Sequence, residues 1–159
     1  MSQGKYAQEI LEKFHMQRCK PIDTSLPGNW RKENATSTEV VDATVYRQLV
    51  GSLMYLVNTR PNICYAVNQR SKAMVKPTKL FWKVGKHVLR YPRGTSEYGL
   101  WYRQIDEVKL HGFTDDDWAG SPTDRKSTSG GIFSIGSMAV SWYNRKKISV
   151  ALSSCRKFE

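Results

Sequence analysis

Three consecutive carboxylates, Asp115, Asp116 and Asp117, close the alternating run LHGF at residues 110–113 and precede the word WAG. They are the side chains best placed to do chemistry. Alternation reads as a strand, and an Asp at a strand end can hold a divalent cation, because the strand fixes the backbone while the carboxylate projects into a cleft. The competing reading is a solvated acidic turn. Hydrolysis of a phosphodiester by two metal ions needs several carboxylates converging from different elements, and neighbours on one loop cannot impose that geometry alone. Neither Asp115 nor Asp117 has a carboxylate partner placed by a second motif.

A second constellation is basic. Lys79, Lys83, Lys86 and Arg90 recur at helical spacing and face away from the apolar stripe Leu80, Phe81, Val84, Val88 and Leu89. Four cations along one helix suit phosphates or an acidic protein partner, although the same pattern also serves only to keep a helix soluble. Trp82 and Tyr91 beside them could stack on bases, but aromatic residues at this spacing usually pack in a core. Cys19, Cys64 and Cys155 are odd in number and widely spaced, so neither a disulfide framework nor a zinc pattern emerges, and buried thiols are expected. His15, His87 and His111 have no partner at ligand spacing.

The balance of 25 Lys and Arg against 14 Asp and Glu gives a formal charge of +11, which favours a polyanion such as nucleic acid or an anionic membrane surface. Hydrophobic residues make up 40% of the 159, enough for a core and too many for a disordered tail. The opening MSQGKYAQEILEKF is mixed and charged, unlike a secretory signal or a membrane span.

These side chains require helices first and strands second. Tyr6, Ile10, Leu11 and Phe14 predict a helix over 3–16. Residues 19–42, broken by Pro21, Pro27 and Gly28, read as a linker. A largely buried helix over 44–58 follows from Val45, Leu49, Leu53, Leu56 and Val57, widened by Tyr46, Val50 and Met54. Pro61 ends it, and Asn62 is placed to cap a helix over 63–75 with Ile63, Ala66, Val67 and Met74 inward and Arg70 and Lys72 outward. Thr78 should cap a third helix over 79–91, stopped by Pro92. Strands are expected at 98–103 and 108–114, forming a hairpin across the turn 104–107, and again at 131–135, 138–143 and 148–152. Gly136-Ser137 and residues 144–147 are the turns between the last three. The chain therefore divides into 1–42, 43–94 and 95–159, an α+β arrangement of a small basic helical segment followed by an antiparallel sheet.

The words GFTDDDWAG, DRKSTSGGIFSIG, AVSWYNRKK and VALSS, in this order, resemble the start of the ribonuclease H domain of Copia-type retrotransposon polyproteins. KYAQEILEKFHMQRCKP, YRQLVGSLMYLVNTRPNICYAVN and HVLRYPRGT resemble the end of the reverse transcriptase and the connecting segment of the same family. The resemblance implies an incomplete ribonuclease H-like sheet, in which Asp115 matches the first metal ligand and Asp117 a second acidic position. The family continues from ALSS into T-E-A-E-Y, whose second Glu is catalytic. Here that Glu falls on Phe158, and Glu159 comes one position late, about 100 degrees around a helix. Asp115 and Asp117 are accordingly read as vestigial, with no catalytic residue, no enzyme activity and no bound magnesium expected. Reverse transcription is excluded on the same grounds, since the family's polymerising aspartates have no counterpart.

Fragments of this kind also resemble proteins labelled as secreted RxLR-type effectors of plant-infecting oomycetes, which implies secretion, action inside host cells, the nucleus included, and suppression of host cell death. The nearest RxLR-like word is His87-Val88-Leu89-Arg90, with no acidic EER word after it. Two alternatives stand beside the effector reading: a basic module binding nucleic acid non-specifically, or a polyprotein fragment active only with a complementary subunit. A host protein is the partner the effector reading implies. The strands carrying Leu110, Phe113, Ile132, Phe133, Ile135, Val140, Trp142 and Val150 should leave an open apolar face through which copies or partners associate.

Overall fold

In a computed structural model of the protein, which describes residues 1–26, 28, 39–104, 107–117, 120–121 and 124–150, the apolar stripes become helices, the first and third over shorter spans than their periodicity suggests. Two units form, residues 1–100 and 101–159. The first is helical. α1 (Gly4–Lys13) buries Ala7, Ile10 and Leu11, with Phe14 just past its end. α2 (Ala43–Val57) starts where the Asp42 carboxylate accepts the Thr44 amide at 2.7 Å, a cap worth about 1 kcal/mol. It buries Tyr46, Leu49, Val50, Leu53 and Leu56, while Val45 and Met54, expected inward, are exposed. A 3₁₀ turn (Pro61–Ile63) leads into α3 (Cys64–Ser71), and α4 (Lys79–Gly94) completes the unit. Ile10 and Leu11 of α1 share one core with Leu49, Leu53 and Leu56, Ile63, Ala66 and Val67, and Val88 and Leu89. The helix assigned to 1–42 thus packs with those of 43–94. At Gly85 a Cβ would stand 2.8 Å from Leu49 Cδ2, so the absence of a side chain lets α4 approach α2.

Several local features depart from the helical period. Arg70 points inward and is fully buried, because position 70 lies on the stripe of Ile63, Ala66 and Val67 at the same helical period. Its guanidinium sits over the Phe81 ring at 5.2 Å. The helix stops at Ser71 instead of 75: the Tyr46 hydroxyl donates to the Arg70 carbonyl at 2.8 Å, and the chain turns through a tighter bond from the Ala73 amide to that same oxygen. Asn62 caps nothing, and its amide donates to the Tyr91 hydroxyl at 2.6 Å. The Thr78 side chain makes no cap either, since the Glu39 carbonyl accepts the Lys79 amide at 2.7 Å. α4 runs through Pro92 to Gly94. Near a helix end proline forfeits a single bond, and Thr95 closes the turn by donating its hydroxyl to the Tyr91 carbonyl at 2.9 Å.

The second unit is a three-stranded antiparallel sheet in the order β1-β2-β3, built from β1 (Leu110–Asp117), β2 (Thr128–Ile135) and β3 (Met138–Lys146). Gly136, at a φ of 57°, makes the tight turn between β2 and β3. Residues 144–146, expected in a turn, extend β3 by pairing with 128–130. No strand forms at 98–103. Gly99 bridges Ser2, and the Leu100 amide donates to the Met1 carbonyl at 2.7 Å, so the backbone that a hairpin with β1 would use is taken up by the N-terminus. Residues 148–150 form no strand, and 151–152 lie outside the described residues, as do most of the linker (27 and 29–38), positions 105–106 of the expected turn, Trp118, Cys155, Phe158 and Glu159. The described residues make an α+β protein with four α-helices and one open sheet.

Candidate functional site

Antiparallel pairing sets Asp115 opposite Gly130, Asp116 opposite Ser129 and Asp117 opposite Thr128. Alternation turns Asp115 and Asp117 to one face and Asp116 to the other. The carboxylates then meet different groups. Asp116 pairs with the Lys147 ammonium at 2.7 Å and accepts from the Ser129 hydroxyl. Asp117 accepts the Thr128 backbone amide, and a Cβ at Gly120 would run into its carboxylate. Asp115 is exposed. Nearby, Lys146 pairs with Asp124 at 2.7 Å; hydrogen bonds from Lys146 and then Ser121 hold the Asp124 carboxyl well below the usual carboxylate range. Among the described residues no group of three His, Cys, Asp or Glu side chains comes together to hold a metal. Asp115 and Asp117 by themselves do not fit the arrangement that a pair of magnesium ions requires.

The basic positions do share one line along α4. Lys79 forms an exposed ion pair with Glu39, Lys83 is exposed, and the Lys86 ammonium lies 5.3 Å from the Trp82 ring centroid. Arg90 differs, because its Nε donates to the Lys20 carbonyl at 2.7 Å and so fastens the chain that follows α1. Trp82 packs edge-on against Phe14 at 6.3 Å, and Tyr91 leans on the same core, so both aromatic rings are structural. Of the RxLR-like word, Val88 and Leu89 are fully buried, while His87 and Arg90 are half-buried. Cys19 and Cys64 are half-buried free thiols rather than fully buried ones, and burial pushes the Cys64 thiol up. His15 and His111 are exposed.

Arginines carry roles that periodicity missed. Arg60 is buried and donates to the Thr95 hydroxyl at 2.9 Å and the Ser96 carbonyl at 3.0 Å, tying the end of α2 to the end of α4. The Arg93 Nε donates to the Gln17 carbonyl at 2.7 Å. A charged residue at a helix boundary looks exposed in sequence, and nothing local announces the carbonyls it will meet. No helix among the described residues is long and apolar enough to cross a membrane.

No family model matches the chain, and no solved structure does. Curated proteins do match. A retrovirus-related Pol polyprotein from a transposon of Arabidopsis thaliana is 38% identical over 154 residues, covering 97% of this chain and 11% of the polyprotein. An uncharacterized mitochondrial protein of the same plant is also 38% identical over 154 residues, 64% of its length. A secreted RxLR effector protein of Plasmopara viticola is 43% identical over 110 residues, which cover 69% of this chain and 78% of the effector. The chain spans 11% and 10% of the two Arabidopsis Pol polyproteins, so it corresponds to one short stretch of each. Colinear identity across nearly the whole chain, through both the helical unit and the acidic strand, makes it a member of the Copia-type retrotransposon Pol family.

Proposed function

We propose that this chain is a non-catalytic protein derived from Copia-type Pol, and that it works as a secreted effector inside plant host cells, suppressing host cell death. The observation carrying this reading is where the acidic residues are engaged. Asp116 binds Lys147 and Ser129, and Asp117 binds the Thr128 amide, so two of three carboxylates hold the sheet's own groups. The 43% identity with a secreted effector supports the cellular role. The buried Val88 and Leu89 argue against His87-Val88-Leu89-Arg90 as a recognised signal in the folded protein. Expression in plant leaf cells challenged with an elicitor of cell death tests the proposal. Protection by the wild type and by Asp115→Asn is expected; protection lost in Asp115→Asn would return the acidic cluster to the working site.

The line of exposed Lys79 and Lys83 and half-buried Lys86 favours a second reading, a basic module that binds nucleic acid through phosphates. Retention on single- and double-stranded nucleic acid that falls steeply with salt would favour it over a protein-binding effector. Magnesium-dependent cleavage of an RNA/DNA hybrid on adding the remainder of a Pol polyprotein would instead identify a subunit of a split enzyme.

A further inference from the structure

We propose that a cleft between α1 and the end of α4 binds a small zwitterion, a free amino acid or short peptide whose ammonium meets Glu12 and whose carboxylate meets Arg93. The cleft holds about 280 Å³, close to the lower limit of roughly 300 Å³ for small-molecule sites and suited to an amino acid or dipeptide. α1 supplies one side of it by helical period: Gln8, Leu11 and Glu12, at i, i+3 and i+4, lie on one face. Leu11, only 4% exposed, gives the cleft an apolar base, while Gln8 and Glu12 are exposed. The rest of the lining comes from Arg93 in the last turn of α4, Ser96 just past it, and Gln17 in the chain that follows α1. The cleft lies apart from both the acidic strand and the basic line of α4.

Two opposite charges line this cleft without neutralising each other. Among the described residues neither Glu12 nor Arg93 forms an ion pair. Lys13, the cation next to Glu12 in sequence, is drawn over the Phe14 ring at 5.6 Å. Arg93 is fixed in place: its Nε donates to the Gln17 carbonyl at 2.7 Å, which leaves the two terminal nitrogens of the guanidinium to receive a carboxylate. Ser96 is fixed as well, since its carbonyl accepts from Arg60 at 3.0 Å. A wall that is already ordered costs a ligand less on binding. Glu12 lies in the last turn of α1, where the helix dipole places partial negative charge, so an ammonium is attracted by the carboxylate and by the helix end together. An anion alone would be repelled there, and a cation alone would be repelled by Arg93. A molecule carrying both charges satisfies each, and the side-chain amides of Gln8 and Gln17 offer donors and acceptors to its remaining polar groups.

Titration of the full chain with alanine and with the dipeptide Ala-Ala, followed by backbone amide shifts in two-dimensional NMR at neutral pH and moderate salt, tests the site. The amides of Gln8, Glu12, Gln17 and Ser96 should move, and the tighter of the two ligands shows whether the cleft takes one residue or two. For that ligand, the N-acetyl form lacks the ammonium and the C-terminal amide lacks the carboxylate, and each should bind about fivefold more weakly. Glu12→Gln should abolish the penalty for acetylation and keep the penalty for amidation. Arg93→Lys, which keeps the charge but loses the fork, should weaken the free ligand and keep the penalty for acetylation. Glu12 is exposed and outside any ion pair, so its variant tests the proposal on a folded chain whatever happens at Arg93. Glu9→Gln removes the same charge one turn earlier on α1, outside the cleft, and should bind like the wild type. No movement of the four amides, equal binding of the free and capped ligands, an acetylation penalty that survives Glu12→Gln, or a loss in Glu9→Gln equal to that in Glu12→Gln would each overturn the proposal.

Discussion

Tyr46 shows how much a single buried hydroxyl decides. Fully buried beside Arg70, it donates to the Arg70 carbonyl, and burial pushes its phenol up to about 12 despite the pull of the Arg70 charge. The ionised form is thus disfavoured in the folded state. Stability from this group is complete below the ordinary tyrosine value near 10 and is lost as pH rises from there through about 12. Tyr46→Phe should cost about 1 kcal/mol at pH 7, the net worth of the bond, and should flatten the fall in melting temperature between about pH 10 and 12. Thermal melts followed by circular dichroism at stepped pH would check both. At Asp124 the sign is opposite. Its carboxyl is held down by Lys146 and Ser121, so its contribution is present above the ordinary carboxylate range and disappears as pH falls below it. Asp124→Asn should therefore lower the melting temperature at neutral pH and match the wild type in strong acid.

At the scale of elements, the helices are joined at their ends by arginine hydrogen bonds as well as by the shared core. Arg60 connects the end of α2 to Thr95 and Ser96, while Arg90 and Arg93 hold the strand of chain after α1. A fixed guanidinium fork reaches two acceptors at once, which an ammonium cannot reproduce. Arg60→Lys should destabilise the helical unit by about 2 kcal/mol in urea melts, whereas Arg18→Lys, at an exposed site, should stay within about 0.5 kcal/mol. Arg90 belongs to these ties as well as to the basic line. Neutralising Arg90 would loosen packing as well as remove charge, so the informative variant changes Lys79, Lys83 and Lys86 to Gln and keeps Arg90.

For the molecule as a whole, the net charge of +11 is the property most visible to a partner. If nucleic acid is that partner, the three exposed or half-exposed lysines of α4 neutralise up to three phosphates. The triple Gln variant should then reduce the slope of log affinity against log salt by about 2 to 3. An unchanged slope, measured by fluorescence anisotropy, would place binding elsewhere or remove it.

Fold class and family were legible in the sequence because they rest on period and on long ordered words. Four helices lie where Ile10, Leu49, Ala66 and Val88 recur at helical spacing, and two of the strands lie where apolar residues alternate around Gly136. What periodicity could not reveal were interactions between distant segments. Residues 98–100 alternate like a strand, yet the N-terminus pairs with them first, and Arg70 carries a charge yet sits on the inward stripe over Phe81. The line of Lys79, Lys83 and Lys86 was written in the helical period, but Arg90 left it for a carbonyl 70 residues away. Sequence determined where apolar surface must be hidden, because burial follows local repetition. Only the tertiary structure decided which polar groups share that burial and which carboxylates bind the sheet, because hydrogen-bond partners far apart in the chain have no local signature.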